Sequence, residues 1–445
     1  MPPAMKVLLL NPPAPRLCLR DYFCAESAKA DYLWPPLDLL VLSGLLEEGF
    51  DVEVLDALAE GLDETQAASR IERASPDAVV ALAAGFRLDA DMAFLARARG
   101  RRPFRLVVSG DVPRAQPAWF LERYPEADGV LMDFADPSVA EYLRGGKGVP
   151  AVRVRGPEPA PPTLGGPLSY PLPRHERFPL ARYRLPLLAP AGAPITCLLT
   201  ALGCPFSCGY CSFPSLPYRL RPMGEVLDEW AALLRLGVGG VFVRDLSFGP
   251  GPERIHAFCE GVRAADRPLP WTCEVRLDLL DEASLTAMKG AGCACLLFGL
   301  ENLDPAPLER LGRRVDAGRL RRLALHCRHI GLPTLGHYIL GLPGQSLGSE
   351  WVNVVRACAF PVDYMAFNRF VPRLGAALRG AGPAGPDLDL DVSTGRASLR
   401  WLLAAASLLF YAHPRRALRL VRLLGPGGLS TQAAHLWKRT IAPPW

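Results

Sequence analysis

Short apolar runs of four to eight residues recur along this chain, each followed by a longer segment of helical spacing, in two blocks separated by a proline-rich stretch. In the first block the runs fall at residues 7–10, 52–55, 78–82, 106–109 and 129–132. Runs such as 7–10 and 78–82, apolar on every position and not on alternate ones, mark strands buried on both faces. Their alternation with helical segments predicts an α/β domain with a doubly wound parallel sheet. Such sheets bind ligands beyond the carboxyl ends of their strands. Those ends are Asn11, Asp56, Gly85, Gly110 and Asp133. No G-x-G-x-x-G follows the first run, and the loop at 12–36 is too long to cradle a pyrophosphate, so a dinucleotide site is disfavoured.

Proline crowds residues 150–186, which predicts a rigid linker lying over the next domain. The alternation then resumes with runs at 195–202, 240–243, 271–275, 295–299, 334–340 and 364–367, six βα units that make a partial or closed barrel. Two helices, or one kinked at Pro414, follow. The expected division is a flavodoxin-like, Rossmann-type domain at 1–145, a linker at 146–190, a partial (β/α)6 barrel at 191–385 and a helical region at 386–445.

Bulk properties narrow the function classes. The 445 residues suffice for two or three domains. A net charge of +5 without a basic block disfavours a nucleic-acid partner. Apolar runs are interrupted well short of the roughly 18 residues of a membrane span, and residues 1–11 lack the pattern of a secretory signal. The expected location is therefore the cytoplasm, and the twelve cysteines are not expected to form a disulfide framework.

Three of those cysteines stand apart. Cys204, Cys208 and Cys211 form C-x3-C-x2-C just beyond the first barrel strand, at the end where barrel active sites lie. Thiolates crowded on one loop suit soft metals, and three without a fourth suit an iron–sulfur cluster with one open iron. Structural zinc usually takes four closed ligands, and a zinc site or three inert thiols are the alternatives.

The motif resembles that of the radical SAM superfamily, in which the open iron chelates S-adenosylmethionine (SAM) and reductive cleavage yields a 5′-deoxyadenosyl radical. The resemblance extends through Arg244-Asp245, Glu274-Val-Arg276, Gly299-Leu-Glu301-Asn302 and Gly341-Leu-Pro-Gly344. It implies a 4Fe-4S cluster on the three cysteines and Tyr210 near adenine. It also implies Arg276 on the SAM carboxylate, Asp245 on its ammonium group, Glu301 on its ribose and Ile339 facing SAM. Strand alternation puts His337 on the same face as Ile339, where it would position substrate or move a proton; the alternative is a hydrogen-bonded core histidine.

A flavodoxin-like domain ahead of such a barrel resembles the cobalamin-binding branch, which includes radical methylases and magnesium-protoporphyrin ester cyclase-like enzymes. The markers are Leu8-Leu-Leu-Asn-Pro-Pro13, Trp34-Pro-Pro-Leu-Asp38 leading into Leu42-Ser-Gly44, and Val54-Leu-Asp56. They imply that Asn11, Ser43, Asp56 and Gly110 line a cobalamin site. The chain departs from the branch at Gly110-Asp111 and Asp133-Phe134, where Gly-Gly and Gly-Glu are usual. No histidine precedes His175, so the loop after the first strand cannot give cobalt an imidazole. The implied reaction is methylation of an unactivated carbon in a lipid-like or secondary-metabolite substrate, with flavodoxin or ferredoxin as reductant. Radical cyclisation, oxidation or rearrangement is the alternative outcome, and a non-catalytic sensor the alternative class. In the tail, Arg415, Arg416, Arg419 and Arg422 interleave with leucines as in a basic amphipathic helix, which predicts peripheral contact with the inner face of a membrane.

Overall fold

The structure is a computed structural model, described here for residues 4–20, 22, 25–27, 32–156, 168–189, 192–211, 216–265, 267–371 and 397–423. The first sheet is built from β1 (Met5–Asn11), β2 (Phe50–Asp56), β3 (Ala78–Leu82), β4 (Arg105–Ser109), β5 (Gly129–Leu131) and β6 (Val152–Arg153). Their order is β2-β1-β3-β4-β5-β6, parallel except for the last pair. The reversal of direction at β1 creates a switch point at the carboxyl ends of β1 and β3.

The second sheet contains β7 (Ile195–Leu198), β8 (Gly240–Val243), β9 (Trp271–Val275), β10 (Cys293–Glu301), β11 (Thr334–Leu340) and β12 (Tyr364–Arg369). All six are parallel and in chain order, and β7 and β12 are the open edges. The barrel is therefore partial. Each connecting helix buries a stripe against the outside of this sheet, through Trp230, Phe258, Met288, Leu323 and Val354 in turn. Side-chain caps start several of them: Asp281, Asp316 and Ser346 each accept from a backbone amide of the first turn.

Two of the sequence expectations need correction. The region 146–190 is more than a linker: Val152 and Arg153 pair with Leu131 and Val130, because Ala151 and Val152 are apolar enough to be buried at the sheet edge. The run at 195–202 is not one strand. It leaves the sheet after Leu198, and Ala201–Leu202 turns to pair with Arg219–Leu220 in a two-stranded ribbon. At the carboxyl end of the chain, the helix Ala397–Tyr411 is followed after a two-residue break by a helix at 414–423, so Pro414 starts a second helix.

One core joins the two sheets. Val7, Leu9 and Leu131 of the first sheet share a buried cluster with Ile195, Cys197 and Phe242 of the barrel. The far face of the first sheet has its own core around Leu8, Val79 and Leu106.

Candidate active site

The cysteine loop departs where β7 ends, and its neck is tightly held. Asp245, just beyond β8, accepts from the Thr200 amide at 2.7 Å, the Thr200 hydroxyl at 2.5 Å and the Ala201 amide at 3.0 Å. Burial pushes its carboxyl up to about 6, against the pull of these donors. This placement makes Asp245 an anchor of the loop neck. Gly203, at φ +84°, precedes Cys204; a Cβ there would lie 2.5 Å from the Pro217 carbonyl oxygen. Farther along, the Gly209 amide donates to the Leu311 carbonyl at 2.8 Å. Cys204, Cys208 and Cys211 are all half-buried on this loop.

Around the loop lies a set of charged groups. Arg276 donates to Asp278 through Nε at 3.0 Å and Nη2 at 2.5 Å, and its guanidinium sits over the Phe206 ring at 4.6 Å. Burial would raise the Asp278 carboxyl, but Arg276 outweighs it and holds it below its ordinary value. Arg313 is buried, donates to the Gly299 carbonyl at 3.2 Å and stands 3.9 Å from both Asp278 and Glu301. Tyr210 is hydrogen-bonded to Glu301. Burial raises the carboxyl of Glu301, with Arg313 opposing. The structure thus gathers Tyr210, Arg276 and Glu301 beside the cysteines, together with Asp278 and Arg313, which the motifs did not single out.

Glu301 carries backbone strain. Its φ is +60°, at a register shift between β10 and β11, and its carboxylate curls over Gly299, where a Cβ would lie 2.2 Å from Oε1. A left-handed glutamate is uncommon outside functional sites. Along β11 burial alternates, with Leu335, His337 and Ile339 half-exposed and Tyr338 and Leu340 buried. His337 and Ile339 therefore do share the face turned from the helices. Ile339 packs with Tyr210, Leu342 and Phe370 in a small apolar cluster.

At the first sheet the polar strand ends are committed internally. Asn11 donates to Asp56 at 2.9 Å, and Tyr183 donates to the other oxygen of Asp56 at 2.8 Å. Burial pushes the Asp56 carboxyl up to about 6, against the pull of Ala59, Tyr183 and Asn11. Buried Arg20 ties the 12–36 loop to this end by donating to Asp91, to Asn11 and to the Pro12 carbonyl. Ser43 donates to the Leu40 carbonyl at 2.6 Å and accepts from the Arg174 amide at 2.9 Å, so it anchors the linker. Gly110 lies at a strand end as expected; a Cβ there would meet the Ala83 carbonyl oxygen at 2.1 Å. The neighbouring residues Ala83, Ala84, Gly85 and Gly110 are small and buried.

The two sheets meet at these loops. Trp34 stands edge-on to Phe242 at 5.3 Å, with the Arg244 guanidinium over its ring at 5.3 Å. Arg219, on the ribbon that closes the cysteine loop, pairs with Asp133. That pairing explains the departure at Asp133: the carboxylate holds the first domain to the flank of the cluster loop. His175 is buried between Thr196 at 2.8 Å and Glu229 at 3.0 Å, so both ring nitrogens are engaged within the barrel wall.

The donor chemistry suits an iron–sulfur cluster. Among the described residues no three His, Cys, Asp or Glu side chains converge on a site for one metal ion; three thiols on one loop are the donor type that an iron–sulfur cluster takes.

Comparison with known proteins agrees with this geometry. Residues 26–142 match the B12 binding domain and residues 198–356 the Radical SAM superfamily. The chain is 25% identical to an uncharacterised methyltransferase of Pyrococcus horikoshii, over 84% of this chain and 82% of that protein. It is 28% identical to bacteriochlorophyllide d C-12(1)-methyltransferase of Chlorobaculum tepidum, over 34% of each chain. Among solved structures it resembles the radical SAM methyltransferase TsrM from Kitasatospora setae with cobalamin and a 4Fe-4S cluster bound. That match has a TM-score of 0.65 at 20% identity, over 84% of this chain and 74% of the other, and is a likeness of fold.

Proposed function

We propose that this chain, whose residues 26–142 match the B12 binding domain and residues 198–356 the Radical SAM superfamily, is a cobalamin-dependent radical SAM enzyme that methylates an unactivated carbon of a small lipid-like or secondary-metabolite substrate. The observation that carries this reading is the apposition of the two domains. The loops at the strand ends of the first sheet pack on the mouth of the barrel through Trp34 and Asp133, beside the cysteine loop.

When bound, the cluster with SAM supplies one-electron hydrogen abstraction, and cobalamin supplies the methyl group. The protein's own residues then do the binding and orienting. Cys204, Cys208 and Cys211 are the cluster ligands. Tyr210, Ile339 and Phe370 give the adenine side of SAM an apolar wall. Arg276 and Glu301, braced by Asp278 and Arg313, supply a cation and an anion to its polar groups. Glu301 is held ready by its strained backbone and needs no rearrangement on binding. His337, on the same strand face as Ile339, orients substrate. Trp34 and Phe242 keep water from the seam between the domains.

The test is to incubate reconstituted protein, loaded with SAM and cobalamin and reduced by a flavodoxin- or ferredoxin-type donor, with lipid and metabolite extracts of the host. The expected outcome is 5′-deoxyadenosine, S-adenosylhomocysteine and a product heavier by one CH2. Deoxyadenosine with a product of unchanged carbon count would contradict methylation.

A further inference from the structure

The helix Ala397–Tyr411 is apolar on both sides. Leu399, Leu402, Ala406 and Phe410 are buried against the barrel. Trp401 and Leu408, on the opposite side, are 60% and 66% exposed. A helix that packs one apolar face on a core normally gives water a polar one. The neighbouring helix Leu347–Cys358 repeats the anomaly: it buries Val354 and Ala357 but leaves Val352 and Val355 more than half exposed. The helix at 414–423 adds exposed Leu418 and Val421.

The charge on these helices is one-sided. Arg356, Arg415 and Arg422 are exposed, Arg419 pairs with Asp363, and the carboxylate Glu350 is buried and accepts from the Gly341 amide. Among the described residues of the three helices no other carboxylate occurs. Beneath the last helix, a cavity of about 170 Å³ is lined by Arg328, Asp363, Tyr364 and Arg419. Two guanidiniums against one carboxylate leave it with an excess of positive charge. No helix among the described residues is long and apolar enough to cross a membrane.

Exposed apolar side chains rimmed by arginine, on helices of this length, are the composition of a surface that lies in the headgroup region of an anionic bilayer. We propose that the outer faces of these three helices dock the enzyme on an anionic lipid surface, with Trp401, Leu408 and Leu418 entering the acyl boundary and Arg415 and Arg422 meeting lipid phosphates. A protein partner would need an acidic groove of matching shape, whereas a bilayer needs only negative charge and depth. The docking does not depend on the reaction proposed above and is tested apart from it.

The experiment is flotation of the full-length protein with vesicles of phosphatidylglycerol and phosphatidylcholine, and with vesicles of phosphatidylcholine alone. Leu408→Asp and the pair Arg415→Glu/Arg422→Glu are compared with the parent, all at exposed positions, with unfolding curves and iron content as controls for folding. Expected is recovery with the anionic vesicles, lost at high salt and reduced at least roughly tenfold by either variant. Equal recovery with both vesicle types, or undiminished flotation of the variants, would overturn the proposal. So would a concentration-dependent dimer that the variants abolish without any vesicle binding, which would make this face an interface between copies of the chain.

Discussion

Arg219 and Asp133 offer a measurable test of how the two domains are held together. The pair joins the ribbon that closes the cysteine loop to the end of β5, with side chains 11% and 4% exposed. Burial raises the Asp133 carboxyl, while Arg219 and the Ala135 amide pull the other way. In Arg219→Gln the carboxylate keeps only the Ala135 amide among its charged and amide partners, and removing one member of a buried pair costs about 3–5 kcal/mol. Asp133→Asn leaves the guanidinium facing an amide and should cost a similar amount. The double variant, with two neutral amides of like size, should recover about 2 kcal/mol relative to the sum of the singles. Arg219→Gln should also gain stability as pH falls from 7.5 to 5.5. Its Asp133 pKa would be raised further above the unfolded value, so the folded state takes up a proton that the unfolded state does not. Urea unfolding of all four proteins at both pH values reads this out. Single-variant losses below about 0.5 kcal/mol, or strictly additive ones, would refute the reasoning.

Three further outcomes follow from the same geometry. Asp56, pushed up to about 6 from an ordinary 3.8, stays protonated in the folded state over that window while the unfolded chain ionises, so its contribution to stability falls as pH rises. Relative to Asp56→Asn, the parent should gain about 1.3 kcal/mol between pH 7 and pH 5 by chemical denaturation, and a difference independent of pH would contradict the burial argument. Gly110→Ala would drive a methyl group into the Ala83 carbonyl oxygen, 2.1 Å away, with only backbone to yield; a loss above roughly 4 kcal/mol is expected, and an unchanged Tm would show that the strand ends can separate. Electron paramagnetic resonance of bound cobalt(II) cobalamin should show no nitrogen splitting from the protein, because both nitrogens of His175 are engaged by Thr196 and Glu229; splitting that vanishes in His175→Ala or His337→Ala would be the contrary result.

Much of the architecture was legible because burial on both faces writes a parallel strand as an unbroken apolar run. The strands Ala78–Leu82 and Gly240–Val243 coincide with such runs, whereas Thr334–Leu340 alternates because one of its faces is open. The two-residue strand at 152–153 was not legible, since its pairing is decided by an edge vacancy beside β5 and not by its own pattern. The early end of β7 depends on Asp245, a residue 45 positions away from Thr200.

In the site, the cysteine spacing and the alternation that aligns His337 with Ile339 are local and readable. The partners of Ser43 were not readable, because they are the Leu40 carbonyl and the amide of Arg174, 131 residues away. Arg313 and Arg20 do not stand out by sequence in a chain with many arginines. What distinguishes them is burial beside carboxylates, and that is a property of the fold.

The central claim is that Cys204, Cys208 and Cys211 hold the cluster on which SAM is cleaved. Anaerobically reconstituted parent protein should bind about four irons, absorb broadly in the visible and release 5′-deoxyadenosine from SAM on reduction, and Cys208→Ala should lose all three. Undiminished deoxyadenosine release by Cys208→Ala would contradict the account at its root.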